Sequence, residues 1–403
     1  MANTINTTCC IAGGGPAGIM AGYLLARAGV DVVVLEKHND FFRDFRGDTI
    51  HPSTMEVMYQ AGVLEEFLQI PHQRIGNLQL HANDDIVELA DFTHLPVHAS
   101  YIAIMPQWDF LNFIAGKAKQ YKNFKLLMGT TATGLLIQQN KVTGVTAHSP
   151  EGPIEINATL TIAADGRGST LKQAAGMPTI ETGVPIDVLW FRLPKDNAET
   201  GHVLAYIRNN KIMIVIDRGD YYQCGFIIPK GKFADIQQEG LALFQKNIES
   251  VAPVLTDKAS TLQNWDSIKL LSVQINHLPK WYKDGLLFIG DAAHAMSPAF
   301  GVGVNIAVQD AVATANILTQ PLLNNKLAVS HLQQVQKRRM FPARFTQKVQ
   351  SVLHNRVVRT DKPVGNIETI LWFFKHFPIL RRLPGRFVGM GIRPESISRN
   401  LLQ

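Results

Sequence analysis

Cysteine is almost missing from this 403-residue chain, which has three. Cys9 and Cys10 are adjacent and Cys224 stands alone, so neither a disulfide framework nor a C-x-x-C or C-x4-C dithiol centre can be drawn. Neighbours in a strand point to opposite faces, so the pair is expected to serve packing. Long apolar runs are missing too. No window approaches the roughly 20 apolar residues that a membrane-spanning helix needs. The N-terminus has no basic start ahead of an apolar core, and the expected compartment is the cytoplasm. There are no repeats, no low-complexity linkers, and no zinc, helix-turn-helix or aromatic RNA-binding signature, so neither a metal nor nucleic acid is expected. With 46% hydrophobic and 18% charged residues, the composition is that of an ordinary globular protein with a large core.

Against that background three distant stretches stand out: Gly13-Gly14-Gly15-Pro16-Ala17-Gly18, Ala164-Asp165-Gly166-Arg167-Gly168-Ser169 and Gly290-Asp291-Ala292-Ala293-His294. The first is a G-x-G-x-x-G turn between an apolar run, Thr8 to Ala12, that reads as a buried strand and a segment, Ile19 to Ala28, that reads as a helix. Gly13 permits the tight turn, Gly15 lets backbone approach a pyrophosphate, and Gly18 lets helix pack on strand. Pro16 and Ala17 open the helix, whose free N–H groups and positive end favour phosphate. A second strand, Val32 to Leu35, ends at Glu36 and Lys37, and an acid at this spacing accepts from ribose hydroxyls and repels a 2′-phosphate. Asp291 follows the apolar strand Leu286 to Ile289, at a strand end where crevice ligands bind, and can accept from a ribityl hydroxyl. One non-covalent FAD accounts for all three stretches.

The late motif continues through Pro298, Gly301, Gly303, Asn305 and Asp310. With Asp165-Gly166, Ser169 and the early segment Arg46-Gly47-Asp48, it makes residues from about Cys10 to Leu318 resemble the class A FAD-dependent monooxygenases of the p-hydroxybenzoate hydroxylase family, including its ubiquinone-pathway hydroxylases. The resemblance implies a glutathione-reductase-type, discontinuous Rossmann-like FAD-binding domain in an α/β (overall α+β) fold. It also implies a cycle in which NAD(P)H, bound transiently, reduces FAD, O2 adds at flavin C4a, and the resulting hydroperoxide hydroxylates an aromatic or polycyclic small molecule. Within it, Arg46 lies by the isoalloxazine, or else forms a surface salt bridge with Asp44 or Asp48. The loop Pro298, Gly301, Val302, Gly303, Val304 and Asn305 offers N–H donors and a helix end to the flavin N1–C2 edge, where negative charge settles. Gln107 stands where many relatives have Arg. Asp165 either braces the nucleotide loops or reaches the ligand; His294 and Asp310 read as structural, with His294 expected to bond backbone.

Residues 1–74, 101–178 and 268–330 are assigned to the flavin domain, 75–100 and 179–267 to a substrate domain built as an antiparallel sheet, and 331–403 to a C-terminal helical cap. Trp190, Arg192, Tyr206, Met213, Tyr222 and Phe226 are candidate pocket residues, although alternation does not tell which face each takes. The tail from His331 carries 14 Lys and Arg against three acids, a net +11 that leaves −5 for residues 1–330. Its aromatics, Ile370 to Phe374 and Phe377 to Leu380, either pack on the flavin domain or rest on a membrane surface beside Arg381, Arg382 and Arg386. Two other functions share these features: a reductase or epoxidase of a prenyl lipid, and a flavin-binding redox sensor without turnover. A second G-x-G-x-x-G for a nicotinamide domain is absent, which suits transient NAD(P)H binding.

Overall fold

The computed structural model describes residues 3–42, 49–83, 85–196, 204–357 and 367–402. Its first layer is an eight-stranded sheet in the order Tyr282–Lys283, Leu286–Phe288, Gly152–Ala163, Asn3–Ala12, Val32–Leu35 and Phe124–Leu127, with Thr131–Gln138 and Lys141–Ser149 branching from Gly152–Ala163. The five strands from Leu286–Phe288 to Phe124–Leu127 run parallel. A parallel sheet must be covered on both faces, and Val32–Leu35 is accordingly buried along its whole length. Cys9 and Cys10 are fully buried and join different cores on the two sides of the sheet, as strand alternation requires. Burial pushes both thiols up, Cys10 to about 12, so they remain protonated packing groups.

Helix α1 (Pro16–Arg27) begins three residues earlier than its apolar pattern suggests, because Pro16 occupies the first turn, where its missing N–H costs nothing. It packs on one sheet face with α2 (Pro52–Gln60), α3 (Gln107–Ala118) and, beyond them in the chain, α5 (Gly303–Leu323). Between α3 and α5 lies α4 (Leu241–Val251), which belongs to the second layer.

That second layer is a seven-stranded sheet ordered Lys269–Ser272, Ile186–Pro194, Tyr221–Pro229, Lys211–Asp217, Leu204–Arg208, Asn77–Ala82 and Asp85–Asp91. Two sequence expectations need correction here. The sheet is not wholly antiparallel, since Leu204–Arg208 and Asn77–Ala82 pair in parallel: the second arrives on a separate excursion of the chain, so no hairpin sets its direction. The strand Lys269–Ser272, expected in the flavin domain, pairs instead with Ile186–Pro194. One face of this sheet buries Leu189, Phe191, Met213 and Phe226 against Phe244 and Ile248 of α4.

The C-terminal region is helical: α6 (Val329–Val357), α7 (Ile367–His376), a 3-10 turn at Pro378–Arg381 and α8 (Arg382–Met390). Helices α7 and α8 cover the edge strand Asp85–Asp91, a common protection for an exposed sheet edge. Leu371 packs with Leu80 and Val87, Lys375 Nζ lies 2.7 Å from Asp85 Oδ1, and Arg381 Nη1 lies 2.6 Å from Glu88 Oε2. Among the described residues no helix is long and apolar enough to cross a membrane.

Candidate active site

A cavity of about 2430 Å³ lies between the two sheets. Ala12 and Leu35, the last residues of two parallel strands, form part of its floor, so it sits outside the carboxyl ends of the sheet, where open α/β folds bind ligands. Its volume exceeds the several hundred Å³ typical of a single drug-sized site and leaves room for a dinucleotide and a second molecule.

The glycine turn is built for close approach. Gly13 has φ +107°, and a Cβ there would meet Ala164 O at 2.3 Å; at Gly18 a Cβ would meet Gly13 O at 1.9 Å. At Gly15, by contrast, a Cβ would meet nothing within 4 Å, and Gly15, Pro16 and Ala17 line the cavity. Glu36 also lines it, but its carboxylate has a second task. Oε2 accepts from Gly14 N–H at 3.0 Å and Oε1 from His38 N–H at 3.1 Å, which fixes the turn relative to the second strand. Lys37 is exposed at the cavity, and Gln107 lines it from the first turn of α3.

Asp165 Oδ2 accepts from Leu171 N–H at 3.1 Å, while Oδ1 is buried with no partner among the described residues. Burial pushes this carboxyl up against the pull of its hydrogen bonds. Asp291 lies in a 3-10 turn at the end of the strand Leu286–Phe288, and Oδ2 pairs with Arg167 Nε at 3.0 Å. Arg167 Nη2 donates onward to Met296 O at 2.9 Å. Arg167 thus joins the second and third motifs, a role that its spacing alone gives no sign of.

In the late loop, Pro298, Gly301, Gly303 and Val304 line the cavity. Gly301 has φ +63° and lies so close to Thr49 that a Cβ would fall 2.2 Å from its hydroxyl oxygen, and that hydroxyl donates to Gly301 O at 2.9 Å. Helix α5 starts at Gly303, where a Cβ would meet nothing within 4 Å. Val302 and Asn305 depart from expectation: neither lines the cavity. Val302 turns into the core behind the loop, and the Asn305 side chain accepts from Ser53 and from Thr54 Oγ1, the latter at 2.9 Å, tying α5 to α2. A residue two positions into a helix points about 200° away from the first, so loop proximity does not carry over to Asn305. Gly290 donates to Asp310 Oδ2 at 3.0 Å rather than lining the cavity. Arg46, with Asp44, Gly47 and Asp48, lies outside the described residues.

His294 is carboxylate-bonded rather than backbone-bonded: Nε2 lies 2.6 Å from Asp310 Oδ2, and Arg339 Nε lies 3.0 Å from Asp310 Oδ1. Burial would raise the Asp310 carboxyl, but His294 and Arg339 outweigh it and hold the group below its ordinary value.

The seven-stranded sheet supplies the other wall, through Val188, Ile207, Ile212, Ile214, Ile216 and Ile227 with Trp190. Four candidate pocket residues are corrected: Tyr206, Met213, Tyr222 and Phe226 face the opposite core, one register position away from the lining residues. Arg192 shares Trp190's face but lies at its exposed end, with its guanidinium 4.8 Å from the Tyr221 ring centroid.

These features fit FAD. Two glycines leave open space at the cavity, two helix N-termini reach it, and a buried carboxylate oxygen lacks a partner among the described residues. Comparison with known proteins agrees. The family described as FAD binding domain matches residues 6–349. The chain is 28% identical over 363 residues to 6-methylpretetramide 4-monooxygenase of Streptomyces rimosus, covering 90% of this chain and 87% of that one. It is 26% identical over 329 residues to a 12-dehydrotetracycline 5-monooxygenase/anhydrotetracycline 6-monooxygenase of the same species, covering 75% of this chain but only 60% of that protein. The solved structure of OxyS anhydrotetracycline hydroxylase from Streptomyces rimosus superposes with a TM-score of 0.75 at 20% identity, over 97% of this chain and 77% of that one, which shows the shared fold. With 344 of its 403 residues matched, the chain belongs to the FAD binding domain family.

Proposed function

We propose that this protein is an FAD-dependent, NAD(P)H- and O2-using monooxygenase that hydroxylates a polycyclic aromatic small molecule. The observation that carries this reading is the cavity itself: one wall bears dinucleotide-binding loops and the other is aliphatic, in a space too large for the cofactor alone. Bound FAD supplies the redox chemistry and the activation of O2. The protein's residues supply the rest. Gly15 and the N-terminus of α1 receive the pyrophosphate, Glu36 a ribose, and Asp165 and Asp291 polar groups nearer the ring. Gly301, Gly303 and the start of α5 present N–H groups where negative charge develops, and Arg46 is assigned to the approach of the nicotinamide. The aliphatic wall with Trp190 excludes water and holds the aromatic substrate against the loop.

The experiment is NAD(P)H oxidation by purified FAD-containing protein with fused-ring phenols, together with ¹⁸O2 labelling. Stimulated oxidation with label in the product supports the reading. Anaerobic reduction of prenyl lipids without response to aromatics would replace it with the lipid reductase, and no turnover with any compound would favour the sensor.

Contact with an anionic membrane surface is a second component of the proposal. Trp372, Phe373, Phe377, Ile379 and Leu383 are exposed beside the cations Arg382 and Arg386, although Leu371 is packed inward. Salt-sensitive binding to phosphatidylserine liposomes supports it, and absence of binding at low salt removes it.

A further inference from the structure

Among the polar groups that line the cavity away from the nucleotide-facing loops, with Ser272, Gln274 and Asn355, is one braced pair. His354 of α6 lines the cavity, and its Nε2 lies 2.6 Å from Ser297 Oγ; both residues are buried. The pair is held rigidly. Ser297 N–H donates to Gln350 Oε1 at 3.2 Å, Gln350 Nε2 donates to Ser297 O at 3.1 Å and to Ala299 O at 3.0 Å, and Ala299 N–H donates to Ser297 Oγ at 3.2 Å. One turn of α6 therefore fixes both the imidazole and the backbone that leads into Pro298–Gly301. His354 Nδ1 has no partner among the described residues. The other titratable side chains among the described lining residues are Glu36, Lys37, His38, Asp165, Arg167 and Asp291, all in the nucleotide-facing loops. A ligand that covers His354 Nδ1 removes this nitrogen from water, which is costly unless the ligand bonds to it.

We propose that the substrate is an uncharged fused-ring compound carrying a phenolic or enolic hydroxyl, and that His354, braced by Ser297, binds that hydroxyl and takes its proton during oxygenation. The assignment rests on the monooxygenase reading above. Among the described lining residues the sheet wall carries no cation to neutralise a carboxylate substituent, whereas a hydroxyl finds an acceptor at His354. A serine hydroxyl both donates and accepts, so it serves either tautomer; when Nε2–H donates to Ser297, Nδ1 offers its lone pair to the substrate. Burial lowers the imidazole to about 4, which keeps it neutral and accepting at neutral pH.

The step balances. As a ring carbon gains oxygen, the substrate O–H bond breaks, its proton moves to Nδ1, and its electron pair forms a C=O bond that relieves the positive charge on the ring. Loss of the proton from the oxygenated carbon then restores the aromatic ring, and the carbonyl oxygen retrieves a proton from His354. O2 supplies the inserted atom, and its second oxygen leaves as water with two electrons from NAD(P)H. A weakly basic imidazole does not ionise the resting phenol but accepts its proton once the ring is cationic, so transfer is coupled to oxygenation.

The test uses FAD-containing protein with 2-naphthol and 2-methoxynaphthalene, measured by equilibrium dialysis, so that binding is read independently of turnover. Native protein is expected to hold the naphthol about tenfold more tightly than the ether, the worth of one well-made hydrogen bond. His354→Phe should erase that preference. His354→Gln, which keeps an accepting oxygen but cannot carry the proton, should retain it while slowing naphthol hydroxylation about a hundredfold. Equal binding of the two probes by native protein, or binding of neither, overturns the assignment, as does an unchanged preference in His354→Phe. Should His354→Phe fail to retain FAD, His354→Gln decides alone: undiminished hydroxylation overturns the proton role. A preserved preference in a native protein that hydroxylates nothing would sink the monooxygenase reading and leave His354 as the hydroxyl-binding group.

Discussion

The carboxylate of Asp291 and the guanidinium of Arg167, 124 residues apart in sequence, meet at 3.0 Å on the cavity wall. Both side chains are about one-third exposed, so the pair adds little to folding, within about 1 kcal/mol. Its consequence is for the ligand. Asp291→Ala should weaken FAD binding by about 1.5–3 kcal/mol, the worth of a hydrogen bond to a charged acceptor, while thermal unfolding of the apoprotein barely shifts. A flavin titration unchanged from native would remove Asp291 from the site.

Glycine replacement should separate packing from freedom. Gly18→Ala places a methyl 1.9 Å from the backbone oxygen of Gly13, which cannot yield as a side chain could, so a loss of about 3 kcal/mol is expected. Gly116→Ala, exposed within α3 with nothing inside 4 Å, should gain up to about 1 kcal/mol from helix propensity. Urea denaturation of both variants is the measurement; similar effects would contradict the close approach at the turn.

Asp310 joins Gly290, His294 and Arg339 in a fully buried site. Asp310→Ala leaves the buried Arg339 cation with Glu395, 3.3 Å away, as its remaining carboxylate among the described residues, and removes the anchor of the late motif. A loss of about 3–5 kcal/mol is expected, with reduced FAD retention as its sequel. A variant as stable as native in urea would show that the network is dispensable.

Stability should also fall in weak acid. His51 and His354 are each held near 4 by burial, below the ordinary 6.5. Above pH 6.5 both are neutral in folded and unfolded chains alike. Between 6.5 and 4 the unfolded chain binds protons that the folded one refuses, so stability declines as pH drops, by up to about 3 kcal/mol per histidine, and these two add nothing further below 4. His51→Gln should flatten part of this decline in urea melts at pH 7.5 and 5; an unaltered slope would exclude His51 as a contributor.

The nucleotide half of the site was legible in the sequence because its determinants are local. A strand, a glycine turn and a helix N-terminus are contiguous, and Gly13, Gly15 and Glu36 act through backbone conformation and a fixed spacing. The late loop was legible as cavity lining at Pro298, Gly301 and Gly303 for the same reason. Val302 and Asn305 were not, because whether a residue beside a ligand loop faces the ligand or the core depends on the rotation of the helix that follows.

Local sequence settles the FAD-binding architecture, since glycine conformation and apolar periodicity are properties of short segments, while the class of chemistry came from the family resemblance of the motifs. Tertiary structure alone decided the substrate wall. Strand alternation permits two faces for Ile186–Pro194 and Tyr221–Pro229, and only the packing of α4 against Met213 and Phe226 assigns the isoleucines of the opposite face to the cavity. It also decided which long-range partners meet: Arg167 with Asp291, Arg339 with Asp310, and His354 with Ser297. Such pairs carry no periodic signal, because they depend on where distant elements cross once the core has closed.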